Sequence, residues 1–172
     1  MQYLLTILIS AVLMSSAPAK AADPTSYTGI LQAVSEIAIG ADRHDWRRVR
    51  AAMADQITTD YSSVFGGKPV TQSADTLVKG WANFLPGFDS THHMVSSLIV
   101  SSLKGNKATA HANFTATHRI AKALWVLGGR YTYQLRREGS SWRVTSLTVT
   151  ALWETGDRGL IKQAGQRAIS KQ

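Results

Sequence analysis

The stretch KATAHANFTATHRI, residues 107–120, decides the fold class of this chain. From Ala108 to Ala116 the even-numbered positions are apolar, and the odd-numbered positions between them carry polar side chains. This period of two is typical of a strand with one face on the core and the other in solvent. His118 continues the apolar face, so the spacing predicts that its imidazole points inward. The alternative to a functional histidine is one that only packs in the core. His111 falls on the polar face and is predicted at the surface.

Three other segments share this period. Segment 92–103 precedes the central one, and segments 125–137 and 142–153 follow it, with short glycine-containing turns at two of the junctions. Strands of ten or more residues must twist and curl when they pair. The C-terminal part of the chain therefore predicts a curled sheet built from antiparallel neighbours.

The N-terminal part has helical spacing instead. Apolar residues recur at helical intervals in 27–39 and 46–53, and Ser73 is a good N-cap for a third helix. A short strand is predicted at 56–62 and an amphipathic terminal segment at 158–168. Helices followed by strands indicate an α+β domain. We predict a curled antiparallel sheet of about four long strands plus a short one, closed by N-terminal helices into a cone with an internal pocket.

The first residues are typical of an export signal. Residues 4–14 form an apolar run too short for a stable membrane anchor, and Ala19-Lys20-Ala21 is a small-residue cleavage site. The absence of Lys and Arg before the run departs from the usual pattern, and an uncleaved anchor or a buried helix is the alternative. We predict a signal peptide at 1–21, a single domain at 22–172 without a membrane span, and a secreted or periplasmic protein.

Composition and motifs argue against several classes of function. The chain of 172 residues has no cysteine, and its formal net charge is +8. The basic residues are scattered without interleaved aromatic residues, so we do not expect nucleic acid as a partner. The sequence has no phosphate-binding glycine loop, nucleophile elbow, CxxC or HExxH motif. We expect no metal and no organic cofactor.

Several short motifs resemble one family. They are ADRHDWRRV at 41–49, TDYSS at 59–63, THH at 91–93, THR at 117–119 and GGRYTY at 128–133. Their order and spacing are similar to those of SnoaL-like domains in the nuclear-transport-factor-2-like superfamily, in particular scytalone dehydratase and hexachlorocyclohexane dehydrochlorinase. The resemblance implies the fold more strongly than the reaction.

The resemblance also implies a set of acid and base residues. The aspartate at Asp42 orients the histidine at His93, which is the general base, while His118 and Tyr61 donate to the departing oxygen or hold water at it. Adjacent residues of a strand point to opposite faces, so only one of His92 and His93 can enter the pocket, and His93 is the predicted one. The alternatives are a solvated carboxylate for Asp42 and a core residue for Tyr61.

Four positions depart from these relatives. The dehydratase has polar residues where this chain has Gly129 and Tyr131. The dehydratase has a tyrosine where this chain has Ala41, and the arginine that assists halide loss in the dehydrochlorinase falls near Leu147 here. Scytalone and chloride elimination are therefore not expected. Five aromatic residues are predicted to line the pocket and contact the substrate: Trp81, Phe84, Trp125, Tyr131 and Trp153.

Together these features predict an exported, cofactor-independent lyase or isomerase, first of all a dehydratase. It would act by His/Asp general base catalysis on a small hydrophobic molecule, aromatic or polycyclic. A noncatalytic small-molecule-binding or interaction module on the same fold is the alternative. The outer face of the sheet is the candidate contact for a homo-oligomer.

Overall fold

The computed structural model describes residues 24–170, so the predicted signal peptide at 1–21 lies outside the described residues. The α-helices of this part are α1 (Pro24–Asp42), α2 (Trp46–Ala51), α3 (Ser62–Phe65), α4 (Ala74–Ala82) and α5 (Leu160–Ile169). The strands are β1 (Met53–Asp60), β2 (Val70–Ser73), β3 (Ser90–Lys104), β4 (Lys107–Ile120), β5 (Ala123–Glu138) and β6 (Ser141–Gly156). A short 3₁₀ turn, Leu85–Gly87, leads from α4 into β3.

All six strands form one open sheet in the order β2-β1-β6-β5-β4-β3. The four long strands pair antiparallel with their chain neighbours, as the sequence predicts. The α+β class and the helix-covered, curled sheet are confirmed. Bulges between Ser96 and Ile99 of β3 and beside Gly128 of β5 increase the local twist.

The sheet differs from the prediction in two details. It is mixed, because β1 runs parallel to β6, and it has a second short strand, β2, which pairs antiparallel with β1. A strand's own period determines which face each side chain takes, but it carries no information about the direction of the neighbouring strand. β2 has only four residues, all of them exposed or half-buried, so it shows no alternation that a sequence pattern could reveal.

Helix α1 covers the inner face of the sheet with Ile30, Val34 and Ile37, which are all buried. The helical spacing predicted at 27–39 extends further in the structure, because α1 includes Gly40 and continues to Asp42. A Cβ atom at Gly40 would lie 2.7 Å from Cγ2 of Val49, so the glycine permits close packing of α2 against α1. The extra residues bring the end of α1, and with it Asp42, to the edge of β3.

Helix α5 closes the other side of the domain. It packs on the Leu85–Gly87 turn, where a Cβ atom at Gly87 would lie 1.9 Å from the carbonyl oxygen of Ala164. The guanidinium of Arg167 also pairs with Asp89 at 2.6 Å. The C-terminal helix is thus fastened to the start of β3, close to the inner face of the sheet.

The outer face of the sheet carries exposed apolar side chains, among them Ile99, Leu152 and Trp153. The predicted use of this face in a homo-oligomer stays a prediction. Within residues 24–170 no helix combines the length and the apolar character needed to cross a membrane.

Candidate active site

A cavity of about 240 Å³ lies between the inner face of the sheet and helices α1, α3 and α4. Most of its wall is apolar, with Ile37, Phe114 and Leu127 as examples. The wall side chains that can donate or accept hydrogen bonds come from two histidines, three tyrosines and two tryptophans. They are His93, His118, Tyr61, Tyr131, Tyr133, Trp81 and Trp125.

Asp42 and His93 meet at one edge of this cavity. Asp42 is the last residue of α1, and His93 lies on the inner face of β3, where it pairs with Ala116 of β4. The Nδ1 atom of His93 is 2.6 Å from Oδ1 of Asp42, and the backbone N–H of His93 donates to Oδ2 at 2.8 Å. The side chains of His93 and Asp42 are only 18% and 16% exposed, so water competes little for this contact.

Thr91 completes the surroundings of the carboxylate. Its hydroxyl donates to Oδ1 of Asp42 at 2.8 Å, from the position two residues before His93 and on the same face of β3. Burial by itself would raise the pKa of the Asp42 carboxyl, but the hydrogen bonds and the charge of His93, with the Thr91 hydrogen bond, lower that pKa overall. Asp42 is therefore ionised at neutral pH.

His118 lies on the inner face of β4 and is 5% exposed. Its ring stacks on Trp125 with 4.4 Å between ring centroids, and Phe88 and His93 approach with centroids at 4.9 Å and 5.4 Å. Burial lowers the pKa of His118 to about 4, and the nearby charge of His93 acts in the same direction. The second imidazole of the cavity is therefore neutral at physiological pH.

Tyr61 follows β1 directly, and its side chain also lines the cavity. Burial raises the pKa of its phenol, and a hydrogen bond with Trp81 offsets this only partly. Burial also raises the pKa of Tyr131, whose ring stacks on Phe114 with 4.1 Å between centroids. Both phenols therefore keep their protons at neutral pH and can act as hydrogen-bond donors.

The structure thus brings together Asp42, His93, His118 and Tyr61 at one cavity, which Trp81, Phe84, Trp125 and Tyr131 also line. Trp153 is not part of it. Beyond a bulge in β6 this residue pairs with Gly128, and its indole lies over that glycine on the outer face, 49% exposed. The extra residue of the bulge reverses the alternation that Leu147 and Val149 follow, so a pattern of period two misplaces Trp153.

Sequence reasoning missed Thr91 and Phe88. The signal for Thr91 was present, because residues two apart in a strand share a face, and His93 was the predicted inward residue. Phe88 carries no local mark that separates a pocket wall from ordinary core.

The remaining histidines and acids do not add to the site. His92 and His111 are exposed, as expected from their faces of the strands. Among residues 24–170 there is no group of three or more His, Cys, Asp or Glu side chains arranged to hold a metal ion.

Known proteins share this fold. A family model for the SnoaL-like domain matches residues 23–148. The structure of the Kfla4162 protein from Kribbella flavida is 23% identical, with a TM-score of 0.75 over 80% of this chain and 97% of that chain. A candidate scytalone dehydratase from Novosphingobium aromaticivorans is 16% identical, with a TM-score of 0.64 over 77% of this chain and 88% of that chain.

Hexachlorocyclohexane dehydrochlorinase LinA-type3 from Novosphingobium barchaimii is 17% identical, with a TM-score of 0.63 over 78% of this chain and 91% of that chain. A search of curated proteins finds no match. At identities this low the similar structures show a shared fold and leave the reaction to be argued from the site itself.

Proposed function

The chain belongs to the SnoaL-like domain family, and from this premise we propose that it is an exported, cofactor-independent lyase or isomerase of dehydratase type. SnoaL-like domains bind small hydrophobic molecules. An engineered cavity of about 150 Å³ can take up benzene, so one of about 240 Å³ suits a substituted ring or two fused rings. The apolar run and cleavage motif within residues 1–21 support export.

His93 is the proposed general base. Asp42 accepts the Nδ1 proton of His93, so the unprotonated Nε2 atom is the one available to a substrate in the cavity. When Nε2 takes a proton, the adjacent carboxylate stabilises the imidazolium, and the low exposure of the pair strengthens this interaction.

The proposed reaction is an elimination that starts at a carbon beside a carbonyl group. Nε2 of His93 removes a proton from that carbon, and the electron pair of the broken C–H bond forms the new carbon–carbon double bond. The bond between the neighbouring carbon and its hydroxyl oxygen breaks. The imidazolium returns its proton to this oxygen, so water leaves and His93 is neutral again.

Tyr61 and His118 are the proposed contacts of the oxygen function. The raised pKa of Tyr61 keeps its phenol protonated, so it can donate a hydrogen bond to an oxygen that gains negative charge. His118 lies beside His93 in the same wall and can contact a substrate hydroxyl or a water molecule there.

The observation that carries this proposal is the 2.6 Å contact between Asp42 and His93 at the edge of an apolar cavity. An apolar cavity alone would suit a noncatalytic binding protein equally well. A carboxylate that fixes the tautomer of an imidazole facing that cavity is what general base catalysis requires.

The test is a panel of one- and two-ring β-hydroxy ketones, whose dehydration to conjugated enones is followed by ultraviolet absorbance. The variants are His93→Ala and, as a matched control, His92→Ala, because His92 is the exposed neighbour on the other face of β3. We expect turnover with the wild-type protein and the His92 variant and none with the His93 variant.

Two results would contradict the proposal. Full turnover by the His93 variant would remove this residue from the chemistry. Binding of panel compounds without turnover by the wild-type protein would favour the noncatalytic binding module.

A further inference from the structure

The hydrogen bond of His118 determines which ring nitrogen carries its proton. The Nδ1 atom lies 3.3 Å from the backbone carbonyl oxygen of Trp125, its cross-strand partner in β5. A carbonyl oxygen can only accept, so Nδ1 must donate and must carry a hydrogen. A neutral imidazole has a single N–H, and Nε2 of His118 is then left with a free lone pair.

The surroundings of His118 keep it in this neutral form. The rings of Trp125 and Phe88 pack against it, and the edge of His93 approaches at an interplanar angle of 89°. The charged groups that act on it are His93, whose protonation disfavours a second cation, and Asp42, whose negative charge opposes this effect. A proton that arrives at His93 during turnover therefore makes protonation of His118 harder still.

We infer that His118 presents Nε2 to the cavity as a hydrogen-bond acceptor, and that the pocket selects ring compounds that place a hydroxyl donor against it. This deepens the proposed function, because His118 then recognises the substrate and does not serve as its acid. His93 and His118 both offer lone pairs to the cavity. The protonated phenols of Tyr61 and Tyr131 supply the donors.

The inference requires a compound with two features close together. One is an acidic C–H bond for Nε2 of His93, and the other is an O–H group for Nε2 of His118. The ring centroids of the two histidines are 5.4 Å apart, so one small molecule can contact both. A hydroxylated ring supplies the O–H group, whereas its methyl ether cannot donate.

Nitrogen NMR of histidine-labelled protein tests the tautomer without a ligand or a reaction. The chain has five histidines, and the variant His118→Asn assigns the signals of His118. We expect Nδ1 to carry a hydrogen and Nε2 to have the shift of an unprotonated nitrogen from pH 6 to pH 8. An Nε2–H tautomer or an imidazolium at pH 7 would overturn the inference.

Binding of 2-naphthol and of 2-methoxynaphthalene, measured by calorimetry, tests the selectivity. We expect the naphthol to bind about tenfold more tightly, as one hydrogen bond of about 1.4 kcal/mol would give. In His118→Asn the amide nitrogen can still donate to the Trp125 carbonyl, but no acceptor remains at the Nε2 position, so the preference should vanish. His118→Gln can place an amide oxygen at that position and should keep part of it.

Equal binding of the two compounds by the wild-type protein would overturn the inference, and so would a preference that survives in His118→Asn. His93→Ala separates this test from that of the proposed function. If the preference remains in this variant while turnover is lost, both proposals stand. If the preference is lost with His93 and kept without His118, the hydroxyl contacts His93 and the inference about His118 is wrong.

Discussion

The carboxylate of Asp42 holds both the ring and the backbone of His93. Oδ1 lies 2.6 Å from Nδ1 of the imidazole, and Oδ2 accepts the backbone N–H at 2.8 Å. One side chain at the end of α1 therefore fixes the position of β3 and the orientation of the base that it carries. This double contact limits the motion of the imidazole. It therefore keeps Nε2, the atom that accepts the proton, in position.

Asp42→Asn should reverse the tautomer of His93. The amide group can place N–H against Nδ1, which then has to accept, so that the proton moves to Nε2 and the base is lost. We expect the rate to fall by about 10²-fold or more, while ligand binding persists. Steady-state kinetics on any compound that the panel identifies measures the effect. Asp75→Asn, an exposed carboxylate paired with Arg50, is the control and should leave the rate unchanged.

Thr91 should act on Asp42 and not on the substrate. Thr91→Val removes the hydroxyl that donates to Oδ1, so the pKa of Asp42 should rise, and stability at neutral pH should fall by about 1 kcal/mol. Thr91→Ser keeps the donor and should leave this pKa in place. Carbon NMR of the Asp42 carboxyl reports the pKa. A Val variant with an unchanged pKa would reduce Thr91 to a packing residue.

Stability should decrease in mildly acidic solution because of His118. Its pKa is about 4 in the folded protein against 6.5 for an unperturbed histidine, so between these values the unfolded chain binds more protons. Stability therefore rises with pH across this window, and as the pH falls from about 6.5 to 4 the protein should lose roughly 3 kcal/mol.

Urea unfolding as a function of pH measures this loss. His118→Asn lacks the titrating group and should show a flatter profile between pH 6.5 and 4. Asp42 does not contribute to this change in stability, because its pKa is lowered in the folded protein and its effect on stability therefore falls below about pH 4. An unchanged slope in the variant would assign the acid sensitivity to other groups.

Two glycines near α5 should respond to alanine in opposite ways. A Cβ at Gly87 would collide with the backbone of Ala164, so Gly87→Ala must displace the helix and should lower stability by about 2 kcal/mol. Gly165 lies within α5, and a Cβ atom added there would have no neighbouring atom within 4 Å, so Gly165→Ala should raise stability by roughly 0.5–1 kcal/mol. Thermal or urea unfolding of both variants tests whether Gly87 packs directly against the backbone of Ala164.

The protein recovered from the exported fraction should begin at or near Ala22. The reason is the apolar run at 4–14 followed by the small-residue cleavage site at 19–21. Intact mass spectrometry distinguishes the two forms. A mass that includes residues 1–21 would contradict cleavage and would favour an uncleaved anchor.

The sequence by itself determined the faces of β4 and the class of the fold. Alternation from Ala108 to Ala116 predicted that His118 points inward, and the structure places it in the cavity wall. Ser73 was predicted as the cap of the third helix, and its hydroxyl accepts from the backbone N–H of Thr76. These features follow from periodicity and local hydrogen bonding, which involve residues close together in the chain.

The tertiary structure alone decided how distant residues combine. Asp42 and His93 are 51 positions apart, and no local pattern brings them together; only the resemblance to a family suggested the pair. The parallel alignment of β1 with β6 and the position of Trp153 beyond a bulge also depend on strand pairing across the sheet. The carbonyl of Trp125 also contacts His118 only because β4 and β5 pair in this register, although the two residues are close in the chain. The place of a residue in the alternating pattern of its strand determines which face its side chain takes. The chemistry of that side chain depends on which neighbours the folded sheet places against it.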